Sequence, residues 1–302
     1  MKKVYFILFL CLISFTSFCQ FIDNAKIGIN IGTSSYNGDL VENNTPFKRM
    51  LPSFGLDLKY TNYSRLPYLT YRASLQFAKV YGDDKKNKDQ ELVARNLSFW
   101  SNIIQLSGVC EYHFLNHIWK NNIISEDDES ELLSSKLNFY NYRFNISPYV
   151  FIGAGIYHFN PYTYDDDNVK VFLKPLHTEG QGFADFPDRK NYSLYQFSVP
   201  FGGGLRFSFP NTAISINYEF TYNNIFTDYL DDVSKTYIAP ERFGNNSLAA
   251  SLAFRNKNVN IAKTIGDRRG FGKNNDVFYF NTIKVSAPLL DITNIFGGYS
   301  NY

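Results

Sequence analysis

The sequence predicts an all-β fold: an eight-stranded antiparallel up-and-down transmembrane β-barrel with long extracellular loops. Three observations lead to it. Apolar and polar residues alternate in about eight segments, which is the period of a strand with two unlike faces. Tyr and Phe number 23 and 29 although the mean hydropathy is −0.27, a combination typical of aromatic girdles on alternating strands. Short and long connections alternate between the segments, as they do on the two rims of an outer-membrane barrel.

The start of the chain predicts export. Two lysines precede an apolar run, 4–18, that is too short to cross a bilayer. We interpret 1–19 as a cleaved signal peptide, because small residues stand three and one positions before the cut. A lipoprotein anchor at Cys19 is the alternative. The remainder, 20–302, is predicted to form a single barrel domain in the cell outer membrane.

The alternating segments justify the strands in order. We predict strands at 26–33, 54–63, 69–80, 99–114, 146–159, 193–209, 213–225 and 276–289. In the third strand Tyr71, Leu75 and Phe77 fall on one face, while Arg72 and Gln76 fall on the other. The second, sixth and seventh strands repeat this pattern. A soluble sandwich also alternates, so alternation alone does not show which face meets lipid.

Connection lengths favour the barrel. The connections around Pro67 and at 210–212 are short, whereas those after the first, third, fifth and seventh strands are much longer. Short turns on one rim and long loops on the other are typical of outer-membrane barrels, whose long loops face outside the cell. The segment 115–145 falls on the short-turn rim, and we interpret it as a periplasmic insertion.

The polar face of the strands carries charged residues of both signs. They are Asp57, Lys59, Arg72, Glu111, Arg206, Glu219 and Lys284. The interior of an eight-stranded barrel is only wide enough for side chains to fill. We therefore expect these residues to form an interior polar network that leaves no open pore.

Candidate catalytic and metal-binding residues are few. The four histidines have no cysteine or carboxylate at the spacing of a metal site. Loss of the signal leaves Cys110 without a disulfide partner, as expected for a small apolar side chain in a strand. His113 or His158 beside Ser107 or Ser147 could form a hydrolytic pair, but interior or rim histidines are the favoured interpretation. We predict no catalytic residue, no metal and no cofactor, and hence no enzyme.

Two acidic groups stand in the long loops, at 165–168 and at Asp228, Asp231 and Asp232. Calcium could bind either group, but neither has the spacing and glycine of a calcium loop. We favour solvated surface charge for both. Three glycines at 202–204 precede no helix, so they predict a close approach or bend in the barrel wall and not a phosphate cradle.

Several segments resemble an outer-membrane β-barrel family that includes PorG, a component of the type IX secretion system. They span nearly the whole mature chain, at 36–40, 72–77, 95–98, 111–114, 148–150, 178–182, 227–234 and 266–270. The loop motifs contain Tyr36, Gly38, Asp39, Thr178, Glu179, Gly180, Gln181, Asp228, Tyr229, Asp231 and Asp232. Two of them, 178–182 and 227–234, resemble a neighbouring branch of that family. The resemblance implies an eight-stranded barrel without enzymatic activity, placed beside secretion or envelope machinery.

The loop motifs also have a physical interpretation. Gly38, Gly180 and Gly182 can take positive φ, and the acidic residues can accept hydrogen bonds from nearby backbone. We expect them to lock the extracellular loops into a cap, and a binding surface is the alternative.

The predicted partners follow from the barrel. They are membrane lipids, together with periplasmic or secretion-system proteins docked on the insertion. A net charge of +2 gives no indication of a nucleic-acid partner. Our leading hypothesis is a non-enzymatic scaffold or docking component. The alternatives are a small-solute channel and a lipid-modifying outer-membrane enzyme.

Overall fold

Long antiparallel strands form the wall of the molecule. The computed structural model describes residues 24–41, 47–115, 145–209, 214–256, 264–272 and 274–289. The wall strands are β1 (Ala25–Asn37), β2 (Leu51–Thr61), β3 (Leu69–Asp83), β4 (Ser98–His113), β5 (Asn145–His158), β8 (Tyr195–Ser208), β9 (Ser215–Ile225) and β10 (Val277–Pro288). Between β5 and β8 lies a short hairpin, β6 (Pro161–Tyr164) and β7 (Lys170–Phe172). Two short helices, α1 (Gln90–Arg95) and α2 (Ser247–Ala253), lie in loops.

The wall strands close into a barrel. Their order is β3-β2-β1-β10-β9-β8-β5-β4, and β4 pairs back with β3. All pairings are antiparallel, and β1 joins β10, so the first strand meets the last. The predicted eight-stranded up-and-down barrel is therefore confirmed, and each predicted strand overlaps one of the eight. Closure leaves no unpaired edge along the wall, as a bilayer requires.

The outer face of the wall is apolar and exposed. Ile31 is 65% exposed and Phe197 is 71% exposed, values that a soluble protein avoids for a whole belt of side chains. The register keeps this face aligned between strands, since Phe54 pairs with Phe77 and Leu58 with Ala73. The predicted division of faces in the second, third, sixth and seventh strands is confirmed.

The interior has two unlike halves, which the strand pattern did not predict. The half near the short turns holds the charged residues. The half near the long loops is apolar and packs Val80, Phe99, Ile103 and Phe278 beneath the loops. This end of the barrel has a packed core like that of a soluble domain, because the loops cover it and exclude water from its side chains.

The glycines at 202–204 make room for aromatic rings inside the barrel, as predicted for a close approach. A Cβ on Gly204 would lie 2.7 Å from the Tyr149 ring. One on Gly202 would lie 3.0 Å from the Phe151 ring and 2.0 Å from the carbonyl oxygen of Phe220. Glycine is therefore required at these two interior positions.

Three sequence predictions fall wholly or mainly outside the described residues. These are the signal peptide 1–19, nearly all of the insertion 115–145, and the turn at 210–212. They remain predictions. Within the described part of the chain, no helix combines the length and the apolar character needed to cross a membrane.

Candidate functional site

The structure places the predicted interior residues inside the barrel. Asp57, Lys59, Arg72, Glu111, Glu219 and Lys284 are buried, and Arg206 is partly buried. They come from six of the eight wall strands and meet in the half of the lumen near the short turns. Strand alternation alone brings them there, since each stands on the face opposite the apolar belt.

Arg72 is the centre of this network. Its Nε lies 2.6 Å from Oε1 of Glu111, and its second terminal nitrogen lies 2.9 Å from Oε2 of Glu219. A third carboxylate, that of Asp57, lies 3.6 Å away. Arg72 belongs to β3 and Glu219 to β9, which stand on opposite sides of the barrel. The ion pair thus crosses the full width of the lumen.

The remaining charges extend the network around Arg72. Lys284 Nζ lies 3.2 Å from Asp57 and 2.9 Å from Glu219. Arg206 lies 2.9 Å from the second oxygen of Glu111. A cavity of about 20 Å³ beside these groups has the size of a single water molecule. The described side chains therefore fill this half of the lumen.

The structure also brings together one serine and histidine that the sequence raised as a hydrolytic pair. His113 Nδ1 lies 3.3 Å from Oγ of Ser147, and its Nε2 lies 3.3 Å from Oε2 of Glu111. The same Glu111 carboxylate is held by two arginines, and the His113 side chain is fully buried. His113 is thus an interior histidine. His158, on the rim, packs against the Tyr195 ring.

The loop motifs form a cap over the apolar end of the lumen. Tyr36 donates a hydrogen bond to Asp231 and lies 3.4 Å from Oδ1 of Asp276. Asp276 in turn accepts from the backbone N–H of Leu230 at 2.9 Å. Gly38 does not have positive φ, contrary to prediction. A Cβ on Gly38 would lie 2.0 Å from Oδ1 of Asp276, so this glycine is needed for space.

A second cluster joins two loops, 159–194 and 226–276. Thr178 and Tyr192 donate to the two oxygens of Asp232, at 2.5 and 2.7 Å. Glu179 accepts from Arg269 at 3.0 Å and from the backbone N–H of Ser234 at 3.0 Å. Four further residues, Gly180, Gln181, Gly182 and Tyr229, complete the cluster.

Those positions also belong to the predicted loop motifs. Gln181 accepts from the backbone N–H of Glu179 at 3.0 Å. The Tyr229 ring stacks on that of Tyr192 at 4.9 Å. Gly180 and Gly182 have φ of 75° and 79°, so positive φ is confirmed at these two glycines.

Sequence reasoning placed two arginines in family-like segments but missed that they hold the cap together. Arg95 contacts both oxygens of Asp84 at 2.7 Å and donates to the carbonyl of Asp39 at 2.6 Å. Arg269 donates to Glu179 and to the carbonyl of Asp232 at 2.8 Å. Arg95 ends the short helix α1, and Arg269 stands in an irregular loop. In such short polar segments a buried arginine has no local signal that distinguishes it from a solvated one.

The second acidic group is not solvated, which corrects the prediction. Asp231 and Asp232 are buried, and Asp228 is half-buried. Asp231 accepts hydrogen bonds from Tyr36 and Val233, and Asp232 accepts them from Thr178 and Tyr192, in place of water, which is why burial of these two is tolerated. In the first group, 165–168, the last three residues are exposed as predicted. Among the described residues no set of His, Cys, Asp and Glu is arranged to hold a metal ion.

The aspartates of the cap have pKa values above the ordinary value of an aspartate. Burial raises the pKa of Asp39 and of Asp232 to about 6, the latter despite the neighbouring Arg269. Burial, and then the carboxyl of Asp39, raise the pKa of Asp228 to about 8. Burial and the Asp231 carboxyl hold the pKa of Asp276 well above its usual range. The folded cap therefore favours the protonated forms of these groups.

We expect the cap to loosen as the pH rises. The unfolded pKa of Asp is about 3.9, so stability from the raised values is complete below about pH 4 and is lost as pH passes through the folded pKa values. Hydrogen exchange in 226–256, corrected for intrinsic rates, should speed up about tenfold between pH 5 and pH 8.5. Asp228→Asn should weaken this dependence. Equal exchange at both pH values would contradict the assignment.

Comparisons with known proteins found matches of low identity among solved structures. No family model and no curated protein matches. Neisserial surface protein A (NspA) aligns with 8% identity and a TM-score of 0.35, over 88% of this chain and 97% of its own. A major outer membrane protein from Thermus thermophilus aligns with 12% identity and a TM-score of 0.36, over 86% and 98%. The outer membrane enzyme PagL aligns with 10% identity and a TM-score of 0.31, over 87% and 99%.

Placement in a membrane follows from the wall of the barrel itself. Its strands are closed, its outer face is apolar, and its charges lie within. Only hydrocarbon can cover such an outer face, and closed strands satisfy their own backbone hydrogen bonds. The chain is an eight-stranded β-barrel of the outer membrane whose lipid-facing wall encloses a charged, filled lumen.

Proposed function

We propose that this barrel is a non-enzymatic, non-conducting scaffold that docks proteins of the envelope, within secretion machinery of the type IX kind. One observation carries the proposal. Ion pairs centred on Arg72 cross the lumen, and hydrogen-bonded loops cap its other end. Such a barrel presents a fixed surface at each end, the cap at one and the rim with the short turns at the other, and leaves no path for a solute between them.

The filled lumen argues against the channel alternative. Solute passage would require Arg72 to leave three carboxylates and Lys284 to leave two, inside a wall of closed strands. Breaking a buried ion pair costs about 3–5 kcal/mol when one partner is left uncompensated. The network therefore opposes opening.

The periplasmic side carries the docking hypothesis. β4 ends at His113 and β5 begins at Asn145, so 115–145 departs from the rim with the short turns. The acidic run 126–131 lies within this segment. Surface segments on a rigid barrel are favoured positions for binding a partner.

Deletion of 115–145 tests docking. The shortened protein should still migrate as a heat-modifiable folded barrel, because the eight described wall strands are kept apart from the first residue of β5. It should lose the proteins that copurify with the intact chain from crosslinked cells. Unchanged copurification would contradict the docking proposal. If the deletion variant does not fold, as judged by loss of heat-modifiable migration, a variant with neutral residues at 126–131 replaces it in the same copurification test.

The same two proteins separate the alternatives. In planar bilayers both should give no steady single-channel steps, whereas a channel would give them with the intact chain. Incubation with labelled phospholipid and lipopolysaccharide should release no acyl chain. Release that Ser147→Ala abolishes would favour the enzyme, because Ser147 is the serine in contact with His113.

A further inference from the structure

An aromatic surface lies on the outer wall at the loop end of the barrel. We call it the rim platform, and its residues are Lys79, Tyr81, Lys86, Trp100, Tyr162, Lys170 and Phe172. Trp100 stacks between Tyr81 and Tyr162, with ring centroids 6.4 and 6.3 Å away. The hairpin of β6 and β7 supplies Tyr162 and Phe172, because β6 continues the sheet beside the loop end of β4.

Lysine side chains cover these rings. Lys79 Nζ and Lys170 Nζ lie 5.5 and 3.9 Å from the centroid of the same Tyr162 ring. Lys86 Nζ lies 4.8 Å from the Tyr81 ring. Two ammonium groups held at one ring repel each other, and an anion between them would relieve this repulsion.

No carboxylate in the described part of the chain neutralises these lysines. Among those residues, none lies within salt-bridge distance of the ammonium groups of Lys79, Lys86 or Lys170. Two acids near the platform accept hydrogen bonds from backbone N–H groups, and Asp84 pairs with Arg95. Asp83 accepts from the N–H of Lys85, and Asp165 accepts from the N–H of Val169.

The position of the platform identifies its occupant. Along β3 the outward residues Leu75 and Phe77 are followed by Lys79, and Lys79 pairs with the polar Asn102 on β4. The apolar belt ends at this level, so the platform lies where lipid headgroups begin. Aromatic rings and lysines at this depth suit a phosphorylated headgroup, because anionic lipid attracts nearby lysines by about 1 kcal/mol each.

We propose that the rim platform binds the phosphorylated sugar headgroup of an outer-leaflet glycolipid of the lipid A class. The lysines contact phosphate, and the rings of Tyr81, Trp100 and Phe172 lie against the sugars and the first carbons of the acyl chains. The buried Tyr162 ring supports Trp100 by stacking on it. This site is independent of the docking surface, which belongs to the opposite rim.

Trp100 provides the readout, because the chain has two tryptophans and Trp119→Phe leaves Trp100 alone. The full mature protein carrying this change is purified in neutral detergent and titrated with diphosphoryl lipid A, with dephosphorylated lipid A, or with inorganic phosphate. We expect diphosphoryl lipid A to change Trp100 emission at a concentration at least about tenfold lower than the dephosphorylated form.

The variant Lys79→Gln/Lys170→Gln should raise the half-saturating concentration of diphosphoryl lipid A about tenfold or more. Lys48→Gln/Lys190→Gln removes the same charge from exposed loop positions and should leave it within about twofold. Heat-modifiable migration verifies folding of both. Equal shifts in the two variants, or equal binding of dephosphorylated lipid A, would overturn the proposal. If inorganic phosphate changed Trp100 emission as strongly as diphosphoryl lipid A does, the proposal would also be overturned, because the lysines would then bind a free anion and not a lipid headgroup.

Discussion

Replacing Arg72 with Met is expected to lower the free energy of unfolding of the barrel by about 3–5 kcal/mol. Met matches the length of the arginine stem but has no charge, so Glu111, Glu219 and Asp57 would be left in the lumen without their shared partner. Lys284 and Arg206 would remain, but the short hydrogen bonds from Arg72 to Glu111 and Glu219 would be lost inside the lumen, where unmade hydrogen bonds to charged groups are costly. Urea unfolding in lipid vesicles, followed by heat-modifiable migration, measures the change.

Arg242→Met is the matched control. Arg242 pairs with Asp185, and both side chains are more than half exposed. Such a surface pair contributes about 0–1 kcal/mol, so this variant should unfold nearly as the parent does. The double variant Arg72→Met/Glu219→Leu should recover part of the loss, because it also removes one of the stranded charges. Similar stabilities for the Arg72 and Arg242 variants would show that the lumen network is not a stabilising unit.

Replacing Arg269 with Met is expected to open the cap without unfolding the barrel. Arg269 is buried and ties Glu179 in one loop to the carbonyls of Asp232 and Ala253 in another. Its loss leaves the buried Glu179 carboxylate without a cation, with only the backbone N–H groups of Ser234 and Lys235 as donors, which should lower the local opening free energy by about 3 kcal/mol. That difference corresponds to roughly hundredfold faster cleavage of 226–256.

Chymotrypsin measures this opening, because it does not depend on the arginine that is removed. Arg268→Met is the neighbouring control, since Arg268 is exposed and rests on the Phe271 ring at 4.7 Å. It should leave the cleavage rate within about twofold. Two outcomes would contradict a cap that opens independently of the barrel. One is slow cleavage in both variants, and the other is an Arg269 variant whose barrel loses as much unfolding free energy as its cap.

The wall of the barrel was largely predictable from the sequence. Leu56 and Leu58 alternate with Asp57 and Lys59, and this period of two fixes which side chains face lipid once the strands pair. Short connections fixed the order of neighbouring strands in the same way. These are local properties, so they leave a local signal.

The cap was not predictable to the same degree. Asp231 and Asp232 were expected at the surface, and Arg95 and Arg269 lay in family-like segments without a predicted role, because the loop partners of these residues lie far away in sequence. Arg95 donates to the carbonyl of Arg269 across 174 residues. Nothing in a polar, aperiodic loop shows that its charges will be buried against another loop.

The sequence by itself determined a chain of alternating strands, with an apolar face for lipid and charged residues on the opposite face. Only the tertiary structure decided that Arg72 spans the lumen to Glu219, that aromatic packing fills the loop end, and that the cap aspartates are buried. The physical reason is the distance along the chain over which the responsible contacts act. Alternation is set by the geometry of one strand, whereas burial of a loop charge depends on closure of the barrel bringing distant segments together.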